Sequence, residues 1–408
     1  MMDTLRVAVR RFEPFERAIQ RQFDAYVAAT GSRLRLDVAS LDLNPLVDTL
    51  FTRGGLKDGT WDVAFIVTDW LAEAIDEGAL LDLSPYLAEE PIPGYPEGWA
   101  PTLTRPQRDG DAIYGIPYHD GPECLIYRAD LFHDPAEQAA FTERHGRPLT
   151  VPRTWAEFEE VARHFTRPDE GRYGTVFAAF PDGHNSVYDF CLQLWSRGGE
   201  LTDGAGVVRL DTVEAAEALD FLRRMIADRR VTPPELQEID SVASGALFAG
   251  GSIAMMVNWF GFAAVCEQSG CPVKGKVGVA PVPAGAEAAS ASLVVTWSLA
   301  VAAGSRHPRE AYRFIRTCAT AEGDKITTLE GGIGCRRSTW EDVDVNAQVP
   351  YYRQLGELHE VARELPRFRS LPVLIQVIDT AVQAAIATTE PSADILLRAQ
   401  ATAASIRL

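Results

Sequence analysis

The opening 90 residues constrain the fold most, because they alternate short apolar strands with amphipathic helical stretches. Residues 5–9 read as a strand, and Phe15, Ile19, Phe23 and Val27 then recur at helical spacing until Gly31 ends the run. Residues 34–38 give a second strand, residues 46–51 a short helical stretch, and residues 63–67 an uninterrupted β-rich run. This alternation predicts a parallel sheet with helices on its faces, and in such a sheet a ligand meets the ends of the strands. A chain of 408 residues, at about 150 per domain, has room for two or three domains.

Charge and hydropathy then narrow the partners. Lys plus Arg number 39 against 57 Asp plus Glu, a net charge of −18, and such a field repels phosphate backbones and anionic lipid unless basic residues cluster. They form only short pairs such as Arg10 with Arg11 and Arg336 with Arg337, which predicts no nucleic-acid partner. No apolar run approaches the ~20 residues of a membrane helix. The opening Met-Met-Asp-Thr-Leu-Arg has none of the marks of a secretory leader. Two settings stay open on that ground: the cytoplasm, or export with the leader already removed.

Farther along, the Pro-rich stretch 91–106 precedes extended segments at 114–118 and 125–127. Thr154 and Glu157 predict a capping box ahead of Trp155, Phe158, Val161, Ala162 and Phe165 on one helix face. Asp211 and Glu214 predict the same device before Ala218, Leu219, Leu222 and Met225, with Pro233 and Pro234 stopping that helix. Residues 277–282 and 294–302 read as strands, a helix starts near Pro308, and the chain from Pro350 onward is nearly all helical.

Catalytic signatures are sparse. The seven histidines are scattered without a metal-binding pair, and no nucleophile elbow, phosphate loop or dinucleotide fingerprint occurs. Six cysteines show no C-x-x-C pair, so no metal or cofactor is expected. Cys266 and Cys271 are spaced to allow a small loop bridge in an oxidising compartment, with buried thiols as the competing reading. A carboxylate pair assembled by the fold would still permit an enzyme acting on a saccharide.

Ten segments, in order, resemble the extracellular solute-binding proteins of ABC importers, in the sugar-binding family that includes maltose-binding protein. They are WDVAF at 61–65, ALLDLSPYL at 79–87, YGIPY at 114–118, LIYRADLF at 125–132, PRTW at 152–155, LWSRGGE at 194–200, FAGGSIAMMVNW at 248–259, VGVAPVP at 277–283, TWSLAV at 296–301 with the helix at 311–315, and the tail at 381–406. Two positions depart from the pattern: no Gly-Pro precedes Trp259, and Cys335 stands where Pro is common.

The resemblance implies an α/β, two-lobe periplasmic-binding-protein fold of type II, each lobe a mostly parallel sheet flanked by helices and joined by hinge strands. It implies a first lobe of residues 1–118 plus 299–331 and a second of 119–298 plus 332–408, with crossings near 117–124, 293–298 and 332–337. The implied function is capture of a carbohydrate or polyol between the lobes. A monomer in the periplasm or outside the cell, lipid-tethered in some members, then delivers it unreacted to the permease subunits. A hydrolase or transferase on a bilobal scaffold, or a binder of glycerol phosphate or polyamine, stays open.

A sugar offers C–H faces to aromatic rings and hydroxyls to polar side chains. The resemblance puts Trp259 and Trp297 at the cleft as stacking plates, against a core reading for each. Asp69 and Trp70 follow the strand at 63–67, where its end meets the crevice, with a helix cap as the competing role of Asp69. His119, Asp120 and Glu123 follow the first crossing, as ligand contacts or as a solvated turn. Arg11, Phe12 and Glu13 match the family's first ligand loop or face solvent. Asp182, His184 and Asn185 occupy a polar turn after residues 176–180, and Asn258 and Arg336 complete the candidate set. Trp61 and Trp155 read as structural.

Overall fold

The computed structural model describes residues 3–406 except 182, 228–230, 235–237, 369 and 405. Eight strands build its two larger sheets: β1 (Thr4–Arg10), β2 (Arg35–Leu41), β3 (Val63–Val67), β4 (Ile116–His119), β5 (Glu123–Arg128), β6 (Met255–Trp259), β7 (Val277–Ala280) and β8 (Trp297–Val301). The chain divides into one unit of Met1–Gly121 with Val294–His359 and another of Pro122–Leu293 with Glu360–Leu408.

In the first unit the strand order is β2-β1-β3-β8-β4. β1 pairs in parallel with β2 and β3, as the opening alternation predicts. The helix Glu13–Thr30 between β1 and β2 buries Phe15, Ala18, Ile19, Phe23 and Tyr26 and stops at Gly31, whose φ of 67° suits only a residue without a Cβ. All five residues of β3 are buried, which is why this strand reads as a continuous apolar run rather than an alternating one. Asp62, just ahead of β3, accepts the Arg6 N–H (2.9 Å), the Ser305 hydroxyl (2.7 Å) and the Arg306 N–H (3.1 Å). It thereby ties β1 to the start of the helix Pro308–Cys318.

Residues 332–359 fold with the first unit, although the sequence reading assigned them to the second. Asp324 supplies the reason. Buried in the helix Ala321–Leu329, its carboxylate accepts the N–H groups of Cys335 (2.8 Å) and Arg336 (3.1 Å) and the Thr339 hydroxyl (2.6 Å).

The second unit's main sheet has the order β6-β5-β7, and both neighbours run against β5. β8 likewise pairs antiparallel with β3 and β4. In the first unit only β8 runs against the other four strands, so its sheet is mostly parallel as expected, and the expectation is corrected for the second unit alone. Parallel pairing follows from short strand-helix-strand crossovers, and the alternation that signals them is confined to residues 4–67. The helix Trp155–Phe165 carries the expected capping box, Thr154 accepting from the Glu157 N–H at 3.2 Å. The helix Val213–Ala227 is instead capped one residue late, Thr212 Oγ1 accepting from the Ala215 N–H at 3.2 Å. Cys266 and Cys271 are free thiols. No described helix is long and apolar enough to cross a membrane.

Candidate functional site

In the first unit the candidate residues gather where three strand ends meet. β8 lies between β3 and β4, so its first residue, Trp297, stands opposite Val67 on one side and His119 on the other, with a bulge between Trp297 and Ser298. Bulges of this kind re-aim a side chain at a sheet end. Asp69 and Trp70 follow β3 on the single turn Thr68–Trp70. The half-buried indoles of Trp70 and Trp297 meet edge to face, centroids 5.5 Å apart at 90°, and Phe51 backs Trp70 at 5.9 Å. The result is a patch of two indoles, with Asp69 preceding Trp70 on the same turn.

His119 borders this patch. Its Nδ1 accepts the Ile333 N–H at 2.8 Å, which leaves the ring proton on Nε2. Its ring meets Phe15 at 4.7 Å, and Phe15 meets Phe12 at 4.9 Å, so Phe12 is linked to the same aromatic row. Burial pushes the His119 pKa down to about 4 against the opposing pull of Asp120, so the imidazole is neutral at pH 7. Arg11 and Glu13 lie exposed beside Phe12, paired with Asp42 (2.8 Å) and Arg17 (2.6 Å).

Three candidates have structural employment. Asp120 is 2% exposed, its Oδ2 2.7 Å from His359 Nε2 and its Oδ1 accepting the Thr296 hydroxyl at 3.4 Å. His359 Nδ1 lies 2.9 Å from Thr102 Oγ1, and its ring stacks on Trp340 at 4.8 Å. Hydroxyl, imidazole and carboxylate follow the order of a nucleophilic relay. Thr102 and His359 are only 7% and 5% exposed, however, so the hydroxyl is enclosed by its own unit. Arg336 is buried, donates to the carbonyls of Pro93 (3.0 Å) and Ala319 (2.9 Å), and lies over Trp99 at 4.3 Å. Asn258, in the second unit, donates to the Ser241 carbonyl (3.0 Å) and Ser244 Oγ (2.9 Å) while accepting the Trp259 N–H (2.8 Å). The Asn258 amide and the Arg336 Nη1 are thus committed to the fold, while Arg336 Nε is buried without a hydrogen-bond partner.

In the second unit, Trp259 ends β6 directly opposite Glu123, which starts β5. The Trp259 ring meets Tyr188 edge to face at 5.7 Å, and Tyr188 meets His184 at 6.0 Å. His184 precedes the helix Asn185–Trp195, and Tyr188 donates its N–H to the His184 carbonyl, so one helical turn joins His184 to the Tyr188 that meets Trp259. Asp182 lies outside the described residues. Glu123 is 5% exposed; burial, and then the charge of Asp189, push its pKa well above the usual carboxylate range. Tyr188 and Asp189 were missed by the sequence reading. The four-residue spacing from His184 to Tyr188 is the signal that could have found the first.

Residues 18–325 match the family model described as bacterial extracellular solute-binding protein. The chain is 24% identical over 344 residues to a probable ABC transporter-binding protein of Deinococcus radiodurans, covering 83% of this chain and 76% of the relative. It is 26% identical over 324 residues to a mannitol-binding protein of Pseudomonas aeruginosa, covering 76% and 71%. The structure of T. maritima MalE3 with maltose bound shares its fold, with a TM-score of 0.84 at 22% identity over 98% of each chain.

Proposed function

The chain belongs to the bacterial extracellular solute-binding protein family, and we propose that it captures a polyhydroxy solute, a sugar or polyol, for an ABC permease and releases it unreacted. The observation that carries this reading is a half-buried indole at a strand end in each unit with an acidic residue at the same place in the fold: Trp297 against Trp70, which follows Asp69 on one turn, and Trp259 opposite Glu123. Indole faces cover the C–H surface of a polyol, and carboxylates accept its hydroxyl protons, two needs that must be met together when the solute leaves water. The mannitol and maltose of the two relatives named above support the same ligand class. In this reading the protein acts as a monomer outside the cytoplasmic membrane, and the solute-contacting set is Trp259, Trp297, Asp69, Trp70, His119, Glu123, His184 and Asn185, with Phe12 at its edge.

A thermal-shift screen with mannitol, sorbitol, ribitol, glucose and maltose tests it, since a ligand at 100 times its Kd stabilises the folded state by about 2.7 kcal/mol. Trp297→Ala and Trp259→Ala are each expected to weaken the binding of a hit by at least about tenfold, the loss of one stacked aromatic face. Chemical alteration of the recovered ligand, or full affinity in both variants, would sink the proposal.

A further inference from the structure

Glu123 is buried without the partner that a buried carboxyl requires. It is 5% exposed, and its Oε2 meets no hydrogen-bond donor of the protein. Its backbone is well accounted for, since the carbonyl accepts the Ser292 hydroxyl and β5 pairs with β6 and β7. Only the side chain is left wanting. A second carboxyl, Asp189 on the helix Asn185–Trp195, acts on it electrostatically. Trp259 stands opposite on β6, with Tyr188 edge to face against it at 5.7 Å. Two carboxyls beside an indole and a phenol ring are the surroundings of an organic cation, because ring faces and carboxylate oxygens both attract positive charge.

We propose that Glu123 and Asp189 form an ammonium-binding subsite in the second unit, and that the captured solute is an amino sugar or aminopolyol. This rests on the polyhydroxy reading above. An ammonium group brings three N–H donors and one positive charge; it supplies the donor that Oε2 lacks and offsets the mutual repulsion of the two carboxyls. A hydroxyl brings one donor and no charge. Two carboxyls also fall short of the six to eight oxygens that Ca²⁺ takes, so the chemistry favours an organic cation over a metal ion.

Isothermal calorimetry at pH 7 with 1-amino-1-deoxysorbitol and with sorbitol tests the subsite. The wild-type protein is expected to prefer the amine by at least about tenfold, and Glu123→Gln and Asp189→Asn are each expected to reduce that preference to below about threefold. The sorbitol affinity of each variant is its own reference, so a general packing defect moves both ligands together and leaves the ratio intact. Sorbitol binding without preference for the amine overturns the subsite alone. An amine preference that persists in both variants overturns its assignment to Glu123 and Asp189. Failure of both probes to bind the wild type overturns the polyhydroxy reading for this ligand pair and the subsite with it.

Discussion

His119 shows how one side chain can serve the first-unit patch and set a pH dependence. Its Nδ1 is held by the Ile333 N–H, and burial lowers its pKa from 6.5 to about 4. Between those values the unfolded chain binds a proton that the folded chain refuses. The stabilisation is therefore complete above about pH 6.5 and lost as the pH falls toward 4. From pH 7 to pH 5 this residue should cost the wild type up to about 2 kcal/mol, and His119→Asn should flatten that part of the profile. Urea unfolding of both proteins at the two pH values measures it, and parallel pH profiles would refute it. The indoles at 259 and 297 were singled out because the family resemblance puts both at the cleft, and each stands at a strand end. Nothing in the linear chain reveals that Ser241 and Ser244 take up the Asn258 amide N–H groups, or that Pro93 and Ala319 take up those of Arg336 Nη1. Asp189 escaped notice for the same reason: its significance lies in being close to Glu123, 66 positions earlier in the chain.

At the scale of elements, local chemistry explains starts and stops better than it explains partners. The capping box at Thr154 could be read outright, and its loss in Thr154→Ala should cost about 1 kcal/mol. A larger penalty belongs to a residue with no local signature. Gly174 passes so close to the helix Trp155–Phe165 that a Cβ there would stand 1.8 Å from the Ala162 carbonyl oxygen. It cannot retreat, because the segment is hydrogen-bonded on its other side: Tyr173 donates to the Ser252 carbonyl (2.8 Å) and Gly174 accepts from Met255 (3.1 Å) at the start of β6. Gly174→Ala must push the helix from the sheet, at about 3 kcal/mol or more. Chemical denaturation should thus rank Gly174→Ala well below Thr154→Ala, and equal midpoints would contradict the packing argument. Strand direction was illegible for a related reason. Val63–Val67 announces a buried strand, but the apolar pattern of a strand contains no information on whether β8 will run with it or against it.

For the molecule as a whole, discontinuity is the governing fact. The units divide after Gly121, Leu293 and His359, the last of these beyond the 332–337 expected from the resemblance. Asp324 decides this through contacts that join residue 324 to residues 335, 336 and 339. A consequence can be tested by ending the chain after His359. All segments of the first unit remain, while the second loses the helices Leu371–Ala387 and Ser392–Ala403. Those helices bury Leu371, Leu374, Ile378, Val382, Ala385, Ile395 and Leu396, together worth about 10–15 kcal/mol, as much as the whole stability of a typical domain. They also hold the rest of their unit by polar contacts: Asp379 accepts the Ser186 hydroxyl (2.6 Å), and Gln400 bonds both the Val208 carbonyl (2.9 Å) and the Leu210 N–H (2.6 Å). Hydrogen exchange on the shortened chain should therefore find β1 and β3 still protected and the helices Asn185–Trp195 and Val213–Ala227 exchanging as unfolded chain. Protection retained in those two helices would mean that the second unit folds without its C-terminal segment, and loss of protection in β1 and β3 would mean that the first unit does not stand on its own contacts.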